Sequence, residues 1–232
     1  MLKRYRIPLL TVLPVLFIDQ FIKIYIKLNY PLGEVKRIAS WFIIHYTENP
    51  GMAFGYEFGG NTGKLLLSVF RILACVGGVL YIRHIISKKE HPGFVFSISL
   101  ILAGALGNIL DSAFYGVLFS ETDELSIAKF MPAEGGYAGV LYGRVVDMFY
   151  FPMINGHFPD WFPIWGGEEF QFFRPIFNFA DASISVGVAI IILFHKRFSQ
   201  KPESENIETE VLKHGGTTNT GENTEPAPNA NA

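Results

Sequence analysis

Residues 173–195 read FRPIFNFADASISVGVAIIILFH, an apolar run of helical type with one carboxylate, Asp181, set near its start. From Ile176 to Phe198 the run matches the roughly 20 residues that cross a bilayer hydrocarbon core. An acid inside such a span costs about 2.5 to 3.5 kcal/mol at a helix centre, so it usually faces a protein interior or wet cavity and serves function. Asp181 therefore needs a partner. Asp147, in GRVVDMFYF, is the other carboxylate that stands between apolar runs rather than beside another charge. The two suggest a dyad.

The rest of the chain agrees with a membrane setting. Of its 232 residues, 50% are hydrophobic and only 17% charged, with 22 Phe, too apolar for an ordinary soluble domain. A net charge of -2 argues against a nucleic-acid partner, which would meet a basic face. The single cysteine, Cys75, can form neither an intramolecular disulfide nor a cysteine metal cluster and reads as lipid-facing or as packing filler in a span. Lys3, Arg4 and Arg6 before an apolar run outline a signal peptide, but no small-x-small cleavage site comes after it and Lys23 and Lys27 interrupt it. A retained signal-anchor helix is expected.

The predicted fold is an all-α membrane protein of four spans, about Ile7 to Asn29, Gly63 to Ser87, Pro92 to Gly116 and Ile176 to Phe198. Arg83, Lys88 and Lys89, then Lys196, Arg197 and Lys201, fall on the same side as the N-terminal cluster, which the positive-inside rule makes cytoplasmic. Both termini are then inside, and regions 30–62 and 117–175 outside. Trp41 to Thr47 predicts a small β-rich outer segment, and TENPGMAFG a bend at Pro50, Gly51 and Gly55. The second outer region is long, acidic and aromatic, with Trp161 and Trp165 in chain suited to the membrane interface. The expected division is a membrane domain, 1–198, and a polar, disordered cytoplasmic tail, 199–232.

On this topology the polar residues gather at one depth. Asp181 is placed about five residues, roughly 7 Å, below the outer end of the fourth span. Asn108 and Asp111, three apart on one face, lie near the outer end of the third, and Asp19 and Lys23 in the outer half of the first. One site facing the outer leaflet explains that convergence. The simpler alternative for the first span is a self-neutralising Asp19–Lys23 pair, with Lys23 and Lys27 snorkelling to headgroups. Asn49 could cap a turn or position a substrate. Arg71, inside the second span, either snorkels or pairs with an acid. Gly104 and Gly107 would let helices approach closely.

Two carboxylates in a low-dielectric site cannot both ionise cheaply, so one proton is shared. The ionised member can then draw a proton from water while the protonated one polarises a carbonyl. No HExxH or nucleophile-elbow serine occurs, and no metal or cofactor is expected.

DQFIK (Asp19 to Lys23), ENPGMAFG (Glu48 to Gly55), AGALGNILD (Ala103 to Asp111), VVDMF (Val145 to Phe149) and FNFADASISVG (Phe177 to Gly187) resemble, in this order, the motifs of lipoprotein signal peptidase, or signal peptidase II, a bacterial intramembrane aspartyl protease. The resemblance implies an inner-membrane enzyme that removes the signal peptide of diacylglyceryl-modified prolipoproteins before the lipidated cysteine. Its dyad would be Asp147 and Asp181. Asp19, Lys23, Asn49, Gly51, Asn108, Asp111, Asn178 and Ala180 would shape the site and hold the substrate, with lipid as surroundings and the chain as a monomer. Asn178, three residues before Asp181, shares its helix face or caps the span. The family usually has Arg after the third-span Asp; here Ser112 stands there, and Arg71 is favoured over Arg144 as the compensating guanidinium. The competing readings are a small proton-coupled transporter, with the intramembrane acids as a relay, and a noncatalytic membrane scaffold. A relay would need acids in the inner halves of the spans, which offer almost none.

Overall fold

The computed structural model describes residues 2–50, 60–172 and 174–199. The expected bend at Gly51, and the tail beyond Ser199, lie outside them. The chain divides into a unit Met1–His195 and a second unit Lys196–Ala232, of which only the end of the last helix is described.

Four helices are long and apolar enough to cross a membrane: Tyr5–Asn29, Thr62–Ser87, Pro92–Leu118 and Phe179–Ser199. They belong to α1 (Leu2–Asn29), α2 (Gly60–Ser87), α3 (Pro92–Leu110) and α5 (Phe179–Ser199). The third span continues past α3 through a π turn, Asp111–Tyr115, and a short α4, Gly116–Leu118. A π turn inserts a residue into the helical repeat and re-aims the side chains beyond it, a device frequent at functional sites. His91 starts α3 by accepting the Gly93 N–H on Nδ1 at 3.0 Å, with Pro92 in the first turn, where its missing N–H costs nothing.

The exposed surfaces of these helices are apolar and their contacts partly polar, the reverse of a water-soluble bundle. Leu10, Phe17 and Leu193 are more than 70% exposed, whereas Asp19, Lys23 and Asp111 are fully buried. Lipid is the solvent that fits. Two glycines bring the helices together: a Cβ on Gly104 would lie 2.2 Å from the Ala180 carbonyl oxygen, and one on Gly107 2.6 Å from an Asp19 carboxylate oxygen. No larger residue fits between α3 and its neighbours α5 and α1.

The helices carry a four-stranded antiparallel sheet of order β1-β2-β3-β6, from β1 (Val35–Ala39), β2 (Phe42–Asn49), β3 (Val145–Tyr150) and β6 (Ile176–Phe177). The expected outer β-rich run at Trp41 to Thr47 is β2, joined by strands nearly a hundred residues away. A two-stranded ribbon of β4 (Ile154–His157) and β5 (Glu169–Phe172) is separate. Tyr46, Val146 and Met148 pack with Ile26, Tyr115 and Phe119 in a core that seats the sheet on α1 and the end of α3. Cys75 is buried between α2 and α3 with Ile82, Ile86 and Leu102, so of its two expected roles it takes the packing one and does not face lipid.

One boundary differs from the sequence expectation. The fourth span starts at Phe179, not Ile176, because Ile176 and Phe177 pair with Tyr150 and Phe149 as β6. Asp181 therefore sits in the first turn of α5, nearer the helix end than five residues below it.

Candidate active site

Asn178 stands between β6 and α5. Its Oδ1 accepts the Asp181 backbone N–H at 2.9 Å, and the Asp181 Oδ2 accepts the Asn178 N–H at 3.4 Å. This is a reciprocal N-terminal cap, with Asp where Glu or Gln is usual. The other end of the same amide is turned toward the site: Nδ2 donates to Asp147 Oδ1 at 2.7 Å and to Asn108 Oδ1 at 3.1 Å. Asn108 Nδ2 in turn donates to Asp181 Oδ1 at 2.8 Å. Each aspartate is thus held by one amide, and the two amides hold each other. Asn178 lies outside the helix, so it does not share a helical face with Asp181; capping and site-building are done by opposite ends of one amide.

A charge cluster lies beneath this quartet. Lys23 Nζ reaches Asp19 Oδ2 at 2.9 Å, Asp111 Oδ2 at 2.8 Å and Asn108 Oδ1 at 2.9 Å, which uses all three ammonium donors. Asp19 Oδ1 accepts the backbone N–H of Ala180 at 2.9 Å, satisfying one of the donors a helix start leaves open. Gln20, singled out by no sequence signal beyond its place in DQFIK, donates to Asp111 Oδ1 at 2.8 Å and to Asp19 Oδ2 at 3.1 Å, and accepts from Tyr115 at 3.1 Å. The Asp19–Lys23 pair is real but not self-contained.

Lys23 and Lys27 do not snorkel; both are fully buried. A longer lysine reach to headgroups loses here to preformed acidic partners inside the fold. Lys27 pairs with Glu48, whose carboxylate also accepts from Tyr46 at 2.6 Å and from Arg144 at 3.0 Å. Arg144 bonds Glu121 at 2.7 and 3.2 Å and lies 4.8 Å from the Tyr137 ring centre. It stands on the loop just before β3, partly exposed and held between a buried and an exposed carboxylate. Nothing in local spacing signals this second cluster, because its members come from α1, β2 and two separate stretches between α4 and β3.

Asp147 sits on β3, opposite Thr47 of β2, beside a register shift between Ile44 and Thr47. It is 5% exposed, and burial, followed by the nearby Asp181 charge, pushes its carboxyl up to about 7. Asp181 is only half-buried, so the pair has one sheltered and one accessible member. Arg71 is half-buried in α2 and feels the charges of Asp181, Asp111 and Asp147. Asn49 ends β2 across from Val145, in a strand rather than a turn. Ser112 is buried and donates to the Asn108 carbonyl at 3.0 Å. Among the described residues no three His, Cys, Asp or Glu side chains are grouped as metal ligands.

Two acids are tied through two amides where the sheet meets the helices, and the comparisons decide the family. The profile of Signal peptidase (SPase) II matches residues 11–196. The chain belongs to the signal peptidase II family. A lipoprotein signal peptidase of Porphyromonas gingivalis is 50% identical over 183 residues, 78% of this chain and 79% of that one. One from Amoebophilus asiaticus is 36% identical over 213 residues, covering 90% and 84%. A solved bacterial membrane enzyme superposes with TM-score 0.51 at 25% identity, over 84% of this chain and 92% of the other. As a signal peptidase II, the chain is a membrane peptidase. The transporter and scaffold readings find no support.

Proposed function

We propose that the chain removes the signal peptide from diacylglyceryl-modified prolipoproteins, cutting before the lipidated cysteine, with Asp147 and Asp181 as the acid-base pair. The observation that carries this reading is the amide bridge: one Asn178 nitrogen bonds Asp147 at 2.7 Å while Asn108 bonds Asp181 at 2.8 Å. Asp147, held near neutral by burial, carries the proton in the resting enzyme. Asp181 takes a proton from water, the resulting hydroxide attacks the scissile carbonyl, and the Asp147 proton passes to the carbonyl oxygen. Collapse of the tetrahedral intermediate breaks the C–N bond as the Asp181 proton goes to the leaving amine. The hydroxyl proton of the intermediate returns to Asp147, which restores the starting state.

Lys23, Asp19 and Asp111 fix Asn108 from below, and Arg71 supplies the cation that the family draws from the position of Ser112. The basic clusters at Lys3–Arg6, Arg83–Lys89 and Lys196–Lys201 support cytoplasmic termini, with the site toward the outer leaflet of a bacterial inner membrane and the enzyme working as a monomer in lipid. The test is incubation of purified enzyme with a diacylglyceryl-modified lipobox peptide and with its unlipidated twin. Cleavage of the first alone is expected; failure to cleave it, or equal cleavage of both, overturns the reading.

A further inference from the structure

The segment between Tyr150 and Ile176, which pair across β3 and β6, leaves the sheet and returns to it. Within it, β4 and β5 pair from Ile154 opposite Phe172 to His157 opposite Glu169. The turn region beyond them is aromatic. Phe158 and Phe162 stack at 5.1 Å, Phe162 and Trp165 at 6.1 Å, and Trp161 meets Phe162 at 6.0 Å. These rings pack on each other, yet the apolar tip stays uncovered. Trp161 is 78% exposed, Ile164 86% and Trp165 49%.

Ile164 also holds φ at +81°, a conformation costly for a β-branched side chain. Among the described residues Ile164 stays 86% exposed, so burial does not offset that cost. A compact apolar tip that the fold leaves bare marks a surface that meets something apolar.

We propose that the tip of the β4–β5 hairpin, carried by Trp161, Ile164 and Trp165, inserts shallowly into the bilayer surface beside the fourth span. Lipid is the occupant favoured because the hairpin is rooted there: Ile176 and Phe177 lie within three residues of Phe179, where the apolar span begins. The lipid-facing side of α5 is thereby continuous in sequence with the hairpin's base. Trp is enriched where a ring can be half in headgroups and half in hydrocarbon, and short exposed aromatics suit that depth. Asp160, Glu168 and Glu169 flank the tip, which favours zwitterionic over anionic headgroups. The inference rests on the membrane reading of the four helices and not on the peptidase chemistry.

The chain has three tryptophans, so Trp41→Phe leaves Trp161 and Trp165 as reporters. The full-length variant is reconstituted in phosphatidylcholine vesicles in which part of the lipid carries bromines at a shallow or a deep acyl position. Shallow bromolipid should quench the emission at least twofold more than deep bromolipid, and aqueous acrylamide should quench weakly. Strong acrylamide quenching without bromolipid quenching would overturn the proposal, as would equal quenching at both depths. Lipidated-peptide cleavage by the same sample checks the fold, so a failure of the tip and a failure of the enzyme are read separately. Protection from both quenchers, with a cross-linked second chain, would assign the tip to a protein partner and also overturn it.

Discussion

Asn178 donates to Asp147 at 2.7 Å while its amide oxygen accepts the Asp181 backbone N–H at 2.9 Å. One side chain therefore caps α5 and spans the two acids. Asn178→Asp keeps the cap, since a carboxylate accepts as well as an amide does, but removes the donor and adds a third acid. The new carboxylate is buried and faces the Asp147 and Asn108 oxygens with nothing to donate, so the melting temperature should fall, and cleavage by the enzyme that stays folded should fall by about 10²-fold or more. An active Asn178→Asp enzyme would separate the cap from the site.

Asp147→Asn and Asp181→Asn keep side-chain shape and remove the titrating proton. Each should lower turnover by about 10²- to 10⁴-fold with the folded protein intact, and the double variant should be little worse than either single one. Additive losses would mean that the two acids do not act as a unit. Rates on the lipidated peptide, beside circular dichroism in detergent, decide this.

The buried Asp147 gives a pH signature. Its carboxyl is raised from an ordinary 3.8 to about 7, so between those values the folded chain keeps a proton that the unfolded chain releases. The folded state then binds more protons, and stability falls as pH rises through this window. Below 3.8 the contribution is fully present, and above about 7 it is lost. Turnover should also decline on the alkaline side near 7, because Asp147 must carry the proton. Asp147→Asn should flatten the stability trend, which melting curves taken across the window will show.

Much of this is legible in the sequence because a membrane penalises unexplained charge. Asp181 and Asp147 stand out for being acids between apolar runs, and Asp19, Lys23, Asn108 and Asp111 for sharing a depth. The sheet is harder to see. β3 is buried at Val145, Val146, Asp147 and Met148 in succession, so it shows no alternation of buried and exposed residues. Ile176 and Phe177 are apolar whether they begin a helix or end a strand, so the apolar pattern alone makes the fourth span too long. The Lys27–Glu48–Arg144–Glu121 cluster joins residues up to 117 positions apart, from Lys27 to Arg144, and no local pattern encodes it.

Lys23 offers a stability test. Lys23→Met removes the cation between Asp19 and Asp111 and leaves both acids buried. Breaking a buried ion pair from one side costs about 3 to 5 kcal/mol, enough to deplete the folded enzyme. Combining it with Asp111→Asn should recover part of the loss by relieving one uncompensated charge. A fully stable Lys23→Met protein would show that the acids take up protons at little cost.

The last prediction concerns the guanidinium that replaces the family arginine at Ser112. The Ser112 side chain is buried, 3% exposed, and bonds the Asn108 carbonyl at 3.0 Å, while the Gly143 N–H bonds the Ser112 carbonyl at 2.8 Å. The connection between α4 and β3 thus lies against this turn, and Ser112→Arg should destabilise the enzyme rather than improve it. Arg144 is engaged by Glu48 and Glu121, so it serves the sheet's attachment and not the acids. Arg71 feels the charges of Asp181, Asp111 and Asp147, beside Lys23, which is already spent on Asp19 and Asp111. Lys at this position keeps the charge but loses the planar fork. Arg71→Lys should therefore lower turnover by roughly tenfold, the size of one charge-assisted hydrogen bond, with little change in melting temperature. Arg144→Lys should do the reverse, lowering the melting temperature while the surviving folded enzyme cleaves at nearly the parental rate. If instead Arg144→Lys cripples turnover in fully folded enzyme and Arg71→Lys does not, the compensating role belongs to Arg144.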